Sequence, residues 1–159
     1  QARTGEVGEL WFRGLGVVPG YIGAAAAGSD AFDAEGWLHT GDLGELDADG
    51  YILLRGRAKD MYIQGGYNVY PAEVEDLIGR HPKVLMVAGI GVPDRVLGEG
   101  GRYYVVPRPG SGLTEQEVLD HCRGRLADYK MPRQVVLRDE LPLTPAGKIQ
   151  KAALRAEGG

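Results

Sequence analysis

GRAKDMYIQGGYNVYPAEVE, residues Gly56–Glu75, packs four signals into one short stretch. A Gly56-Arg57 turn comes first, with Lys59 and Asp60 behind it. Met61–Ile63 is a short apolar run of β-prone residues. Gly65-Gly66 follows, where the missing Cβ atoms let backbone approach another surface. Pro71 then suits the first position of a helix, with Glu73 and Glu75 in its electropositive first turn. Charged turn, strand, glycine loop and helix start run on without a gap. A connection with no further duty seldom needs two cations, an acid and two glycines so close together.

Working upstream, GWLHTGDLGELDADGYILLRGR reads as a hairpin. Its arms are Leu43–Leu46 and Tyr51–Arg55, and Asp49-Gly50 is a strong turn signal. Residues 1–13 end in the alternating run Glu9–Arg13, a strand pattern. Gly14–Gly23 is glycine-punctuated with a short edge at Tyr21-Ile22, and Ala24–Phe32 has the composition of a turn or two of helix.

Downstream, Pro71–Gly79 places Val74, Leu77 and Ile78 on one helical face. Val84–Val92 is a nearly continuous apolar run, as in a buried strand. Pro93–Gly101 reads as a loop and Tyr103–Val106 as a second strand. Thr114 with Glu117 forms a capping box that opens a helix to about Ala127, with Val118, Leu119, Cys122 and Leu126 inward. Tyr129–Pro132 reads as a helix stop, Gln134–Leu137 as a strand, Leu141–Lys151 as an extended loop and Ala152–Ala156 as a terminal helical turn. Short strands and turns dominate before Arg55–Lys59, and helices alternate with strands after it. That change marks a domain boundary and an α+β unit beyond it.

The chain has 159 residues, 43% hydrophobic and 25% charged, enough for a packed core. Its net charge of −4 argues against nucleic acid or an anionic membrane as the main partner. Cys122 is the only cysteine, so there is no disulfide framework and a reducing, cytoplasmic setting fits. The three histidines are scattered without zinc spacing, and no apolar run is long enough for a transmembrane segment. The chain opens in strand-like sequence without an initiator Met, which reads as a piece of a longer polypeptide.

Three residues on glycine-bearing turns carry candidate chemistry. Asp42, in Thr40-Gly41-Asp42, has a carboxylate able to accept from two vicinal hydroxyls such as those of a ribose. Taken alone, such an Asp more often caps its own turn. Lys148, in Thr144-Pro145-Ala146-Gly147-Lys148, sits on a loop that could bring its charge onto a phosphate or carboxylate, although a lone lysine is usually just solvated. Arg57 adds a second cation. Ribose acceptor, cation and mobile cation suit a nucleotide, yet the chain has neither a GxxxxGK[ST] nor a GxGxxG phosphate cradle.

With those motifs in order over about a hundred residues, the chain resembles the C-terminal part of the adenylate-forming superfamily: acyl-CoA synthetases, nonribosomal-peptide adenylation domains and luciferase. GEVGELWFRG, GWLHTGDLGELDADGYILLRGRAKD, GGYNVYPAEVE and LADYKMPRQVV…DELPLTPAGKIQK carry the resemblance. It implies a β-rich end of a large adenylation domain over residues 1–56. A lid domain over 57–159, with a short central sheet flanked by helices, would follow, hinged near Lys59. It implies that a full-length enzyme uses ATP, Mg2+ and coenzyme A to turn a carboxylic acid into an acyl-adenylate and then a thioester.

Carried over by motif, Asp42 binds the ribose and Arg57 contacts the ribose–phosphate side. Lys148 reaches the carboxylate and α-phosphate, and Gly65 and Gly66 line the pantetheine tunnel. The phosphate loop and acyl pocket lie outside this chain, so it is expected to be inactive alone. GYNVYPAEVE favours a CoA ligase over loading of a carrier-protein thiol. A non-catalytic binding module with the lid fold is the remaining alternative. The two-step reading requires Lys148 and the glycine pair not to share one surface.

Overall fold

The structure is a computed structural model that describes residues 2–18, 20 and 31–157. The expected edge at Tyr21-Ile22 and most of the expected helical turn at Ala24–Phe32 lie outside them. The chain divides after Lys59 into two compact units.

The first unit is a three-stranded antiparallel sheet, order β1 (Gly8–Phe12), β2 (Leu38–Leu46), β3 (Ile52–Arg57). The β2–β3 turn falls where Asp49-Gly50 predicted it. The Asp47 N–H donates to Tyr51 O at 3.0 Å, the Asp47 carboxylate accepts from the Asp49 and Tyr51 amides, and Gly50 has φ +86°. β2 begins five residues before the expected Leu43. Among the described residues of this unit no hydrophobic side chain is buried. Trp11 and Phe12 are each 47% exposed and Leu54 71%.

The second unit is α+β and carries the core. Its strands are β4 (Tyr62–Gln64), β5 (Tyr67–Val69), β6 (Val84–Asp94), β7 (Gly98–Pro107) and β8 (Gln134–Leu137). The sheet order is β5-β4-β7-β6, with β8 parallel beside β7. Helices are α1 (Pro71–Gly79), α2 (Glu115–Cys122) and α3 (Lys151–Glu157). Successive strand residues point to opposite faces, and β7 divides the apolar residues accordingly. Tyr103 and Val105 join Val74 and Ile78 of α1 and Val118 and Cys122 of α2 in one core. Tyr104 and Val106 join Leu141 and Leu154 of α3 in another.

A buried tyrosine pair explains Gly89 and Gly91 of β6 and Gly101 of β7. The Tyr62 and Tyr103 hydroxyls hydrogen-bond at 3.0 Å, and both rings are almost wholly buried. Burial pushes the Tyr62 phenol up to about 12 and the Tyr103 phenol well above its ordinary range. A Cβ on Gly89 would overlap the Tyr103 ring, one on Gly91 the Tyr62 side chain, and one on Gly101 the Tyr62 hydroxyl and the Tyr103 ring. The expected loop Pro93–Gly101 is therefore corrected. Pro93-Asp94 ends β6, Gly98–Gly101 opens β7, and Gly91↔Gly101 and Val92↔Gly100 are ladder partners.

Two further boundaries differ from expectation. The capping box at Thr114 and Glu117 is present, but α2 ends at Cys122 because Arg123 turns extended (φ −62°, ψ 130°) and Gly124 is left-handed at +74°. Tyr129 and Lys130 belong to a separate 3-10 turn, Asp128–Lys130, not to the end of that helix. The Cys122 thiol is buried and free, and burial pushes it up to about 11.

Gly101→Ala should destabilise the second unit by about 1–3 kcal/mol, the usual cost of overpacking a filled core. In thermal unfolding that is a drop of roughly 5 °C or more. Tyr62→Phe in the same chain should recover part of the loss, since it removes the hydroxyl that the new methyl meets. His81 packs edge-on against His121 with ring centroids 5.0 Å apart. Burial, and secondarily His121, hold its proton affinity below the ordinary value, with Glu117 opposing and Lys83 and Arg125 adding to the shift. The unfolded chain then binds more protons, so stability falls as pH drops through about 6.5 toward the folded-state value. His81→Gln should flatten that part of the stability–pH curve, measured by denaturant titration.

Candidate functional site

In the first unit the site is made by an irregularity. Glu9 pairs with Leu43 and Trp11 with His39, so Leu10 alone faces the bulged residues Thr40-Gly41-Asp42 of β2. Gly41 at φ +70° makes the bulge, a backbone region that favours glycine. Thr40 Oγ1 donates to Leu10 O at 2.9 Å and accepts from the Asp42 amide at 3.0 Å. Glu9 accepts from the Gly41 amide at 2.9 Å. Bulges of this sort re-aim a side chain.

Here Asp42 meets Arg57, its cross-strand partner on β3, with Arg57 Nε 2.7 Å from Asp42 Oδ1. The two side chains are 37% and 50% exposed. Such a pair contributes at most about 1 kcal/mol, so a ligand can take it over at little cost. The expected separate turns for Asp42 and Arg57 are thus one locus on neighbouring strands.

Sequence reasoning missed the frame beneath it. The Trp11 ring stacks on His39 at 3.8 Å, and Asp33 lies 3.5 Å from His39 Nε2. A hydrogen bond from Trp11, and less strongly the Gly41 amide, hold the Glu9 carboxyl below its usual range. The strand alternation around Glu9 was visible, but its register against the bulge was not.

Lys59 is exposed in the 3-10 turn Ala58–Asp60 and is the last residue of the first unit. The other expected residues lie in the second unit. Gly65 and Gly66 are the two-residue turn between β4 and β5, which pair Gln64↔Tyr67. Their φ values of +60° and +86° fit the turn that such a tight hairpin takes. A Cβ on Gly66 would meet nothing within 4 Å and one on Gly65 only Leu97, so the turn requires the glycines, whatever else uses the space they leave.

Gln64, also missed, anchors this turn from beneath. Only 2% exposed, it donates to Tyr129 O and Met131 O and accepts from the Gly101 amide. Tyr67 stacks on Tyr129 at 4.6 Å. Nearby Lys130 is held by both carboxylate oxygens of Glu73 at 2.7 Å.

Lys148 ends a tight turn. The Thr144 amide donates to Lys148 O at 2.7 Å, the Gly147 amide to Thr144 O at 2.8 Å, and Thr144 Oγ1 accepts from the Lys148 amide at 3.0 Å. Leu143 and Ile149 bridge its base. The Lys148 side chain is exposed. Leu141 and Ile149 hang this turn on the core shared with α3. Tyr62 and Val69 pack the glycine hairpin into the core on the opposite face of the sheet. Among the described residues, no group of three or more His, Cys, Asp or Glu could hold a metal ion, and no helix is long and apolar enough to cross a membrane.

Residues 73–148 match the family described as the AMP-binding enzyme C-terminal domain. A 3-[(3aS,4S,7aS)-7a-methyl-1,5-dioxo-octahydro-1H-inden-4-yl]propanoyl:CoA ligase of Rhodococcus jostii (strain RHA1) is 49% identical over 99% of this chain and 30% of its own length. A long-chain-fatty-acid–CoA ligase of Yersinia pestis is 46% identical over 96% of the chain and 27% of its own length. The chain thus spans under a third of the relatives it matches. ATP-bound MatB from Rhodopseudomonas palustris superposes with a TM-score of 0.86 at 39% identity, covering 98% of this chain and 31% of that one. The anthranilate CoA ligase AuaEII in complex with anthranoyl-AMP gives 0.89 at 35% identity, covering 99% and 31%. With sequence and fold agreeing over almost all of its length, the chain matches a C-terminal part of the enzymes of the adenylate-forming superfamily.

Proposed function

We propose that this chain is the C-terminal end of an ATP-dependent acid–thiol ligase that activates a carboxylic acid as its acyl-adenylate and passes the acyl group to coenzyme A. The observation that carries the proposal is the opposite-face arrangement in the second unit. Lys148 hangs from one core of the sheet, and the Gly65-Gly66 hairpin is packed into the other. A lid that rotates between two steps needs two such faces. The relatives named CoA ligases support coenzyme A as the thiol.

In the first step a carboxylate oxygen bonds to the α-phosphorus of ATP, the bond to the bridging oxygen breaks, and pyrophosphate leaves. Asp42 accepts from the ribose hydroxyls and Arg57 turns from Asp42 toward the phosphate side. The Lys148 amine offsets charge on the carboxylate and α-phosphate. In the second step the thiol loses its proton, its sulfur bonds to the acyl carbon, and the acyl–phosphate bond breaks to release AMP. The side-chain-free turn at Gly65-Gly66 leaves room for the thin pantetheine arm. Lys59, where the two units meet in sequence, is the pivot.

Residues 1–56 complete the large domain, and the absence of buried hydrophobic side chains among the described residues of the first unit supports that. The phosphate loop and acyl pocket would come from the rest of that domain, so the chain alone is inactive. Mg2+ would enter with the ATP phosphates, which supply most of its protein-independent ligands, and no residue of this chain is assigned to it. A cytoplasmic setting suits the lone buried free thiol.

In the full-length ligase, Lys148→Ala should slow acyl-adenylate formation by about 10²–10³-fold, as for loss of one well-placed charge-stabilising donor. Thioester formation from supplied acyl-adenylate should stay near wild type, and equal loss in both half-reactions would overturn the assignment. Gly66→Asn keeps a residue that tolerates the left-handed turn but adds a side chain. It should slow the thioester half-reaction and leave adenylation intact in single-turnover assays.

A further inference from the structure

Asp60 opens the second unit, and its carboxylate is only 14% exposed. Arg155 Nη2 lies 2.6 Å from Asp60 Oδ1, and Lys151 Nζ lies 3.9 Å from Oδ2. Lys151 Nζ is also 2.6 Å from Glu75 Oε1, and that oxygen accepts from the Gly89 amide at 2.6 Å. Lys151 and Arg155 stand one helical turn apart on α3, Glu75 belongs to α1 and Gly89 to β6. The cluster therefore ties the entry of the unit to both helical layers and the sheet. The Lys151 and Glu75 side chains are 18% and 19% exposed, so removing one charge leaves its partner poorly compensated.

Little slack separates this cluster from the Lys148 turn. α3 begins three residues after Lys148, and between them the Gln150 amide donates to Pro142 O at 2.8 Å. The glycine hairpin has its own anchor in Gln64, with bonds to Tyr129, Met131 and Gly101. Resting on the ligase reading, we propose that Asp60 is a positioning residue for Lys148. It fastens the chain just past Lys59 to α3, so that rotation at Lys59 carries the Lys148 turn as one body. Without it, backbone freedom spreads past Lys59 and the amine arrives less reproducibly at the reacting phosphate. The thioester face, held through Gln64, keeps its geometry.

The test uses Asp60→Asn. In the full-length ligase, kcat for acyl-adenylate formation should fall about tenfold or more, the scale expected when a reacting group is misplaced. KM for ATP and the thioester half-reaction should change little. Arg155→Gln should act likewise. The double variant should be no worse than Asp60→Asn alone, since the Asp60–Arg155 pair is already lost there.

In the 159-residue chain, hydrogen exchange at the Thr144, Gly147 and Gln150 amides should quicken about tenfold. The Gly101 amide, held by Gln64, should keep its protection. Unchanged exchange at the turn, or equal loss in both half-reactions, would overturn the proposal. A wild-type enzyme that forms no acyl-adenylate would instead sink the ligase reading, and the exchange measurement would still decide whether Asp60 fastens the turn.

Discussion

Two phenol rings buried against each other set the constraint that the second unit is built around. Tyr62 and Tyr103 lie where β4 and β7 meet, and their hydroxyls satisfy one another at 3.0 Å. Each large ring needs strand neighbours without a Cβ, and Gly89, Gly91 and Gly101 provide them. Glycine normally weakens a strand, but here it admits two large apolar surfaces into the core. The hydrogen bond between the hydroxyls also offsets part of the desolvation penalty that a lone buried phenol would carry. With this layer filled, α1 and α2 close one face of the sheet and α3 the other.

Charge is distributed differently in the two units. Asp42 and Arg57 form an exposed pair that contributes little to stability and is easily exchanged for a ligand. Asp60, Glu75 and Lys151 are mostly covered, and their pairing fixes how three elements meet. These arrangements lie on either side of Lys59. On the ligase reading, the loose pair would let Arg57 change partners, and the tight network would let the second unit move without deforming.

Much of this was legible in the residues, and the rest was hidden for physical reasons. The hairpin turn at Asp49-Gly50, the capping box at Thr114 and the turn carrying Lys148 are local, and local chemistry specifies them. The direct pairing of Asp42 with Arg57 depends on the bulge at Gly41 and on a register shift near Gly56, and neither backbone twist is written in the side chains. Gly98, Gly100 and Gly101 looked like a loop because side chains that stand against them are distant in sequence: Tyr62 meets Gly101 and Arg133 meets Gly100, while Gly98 is left-handed at the start of β7. The apolar period after α2 continued to Leu126, which does pack on the core, while Gly124 had already ended the helix. The partners of Asp60 could not be read at all, since Arg155 stands 95 positions away.

Cys122 has a practical consequence. Its sulfur is enclosed between α2 and the sheet, and burial keeps it protonated at neutral pH, whereas alkylating reagents react with the thiolate. The native chain is therefore close to silent toward maleimides without any cysteine being removed. New cysteines placed on the two sides of Lys59 could carry a donor and an acceptor dye, and the proposed rotation about Lys59 could be followed by energy transfer in single molecules.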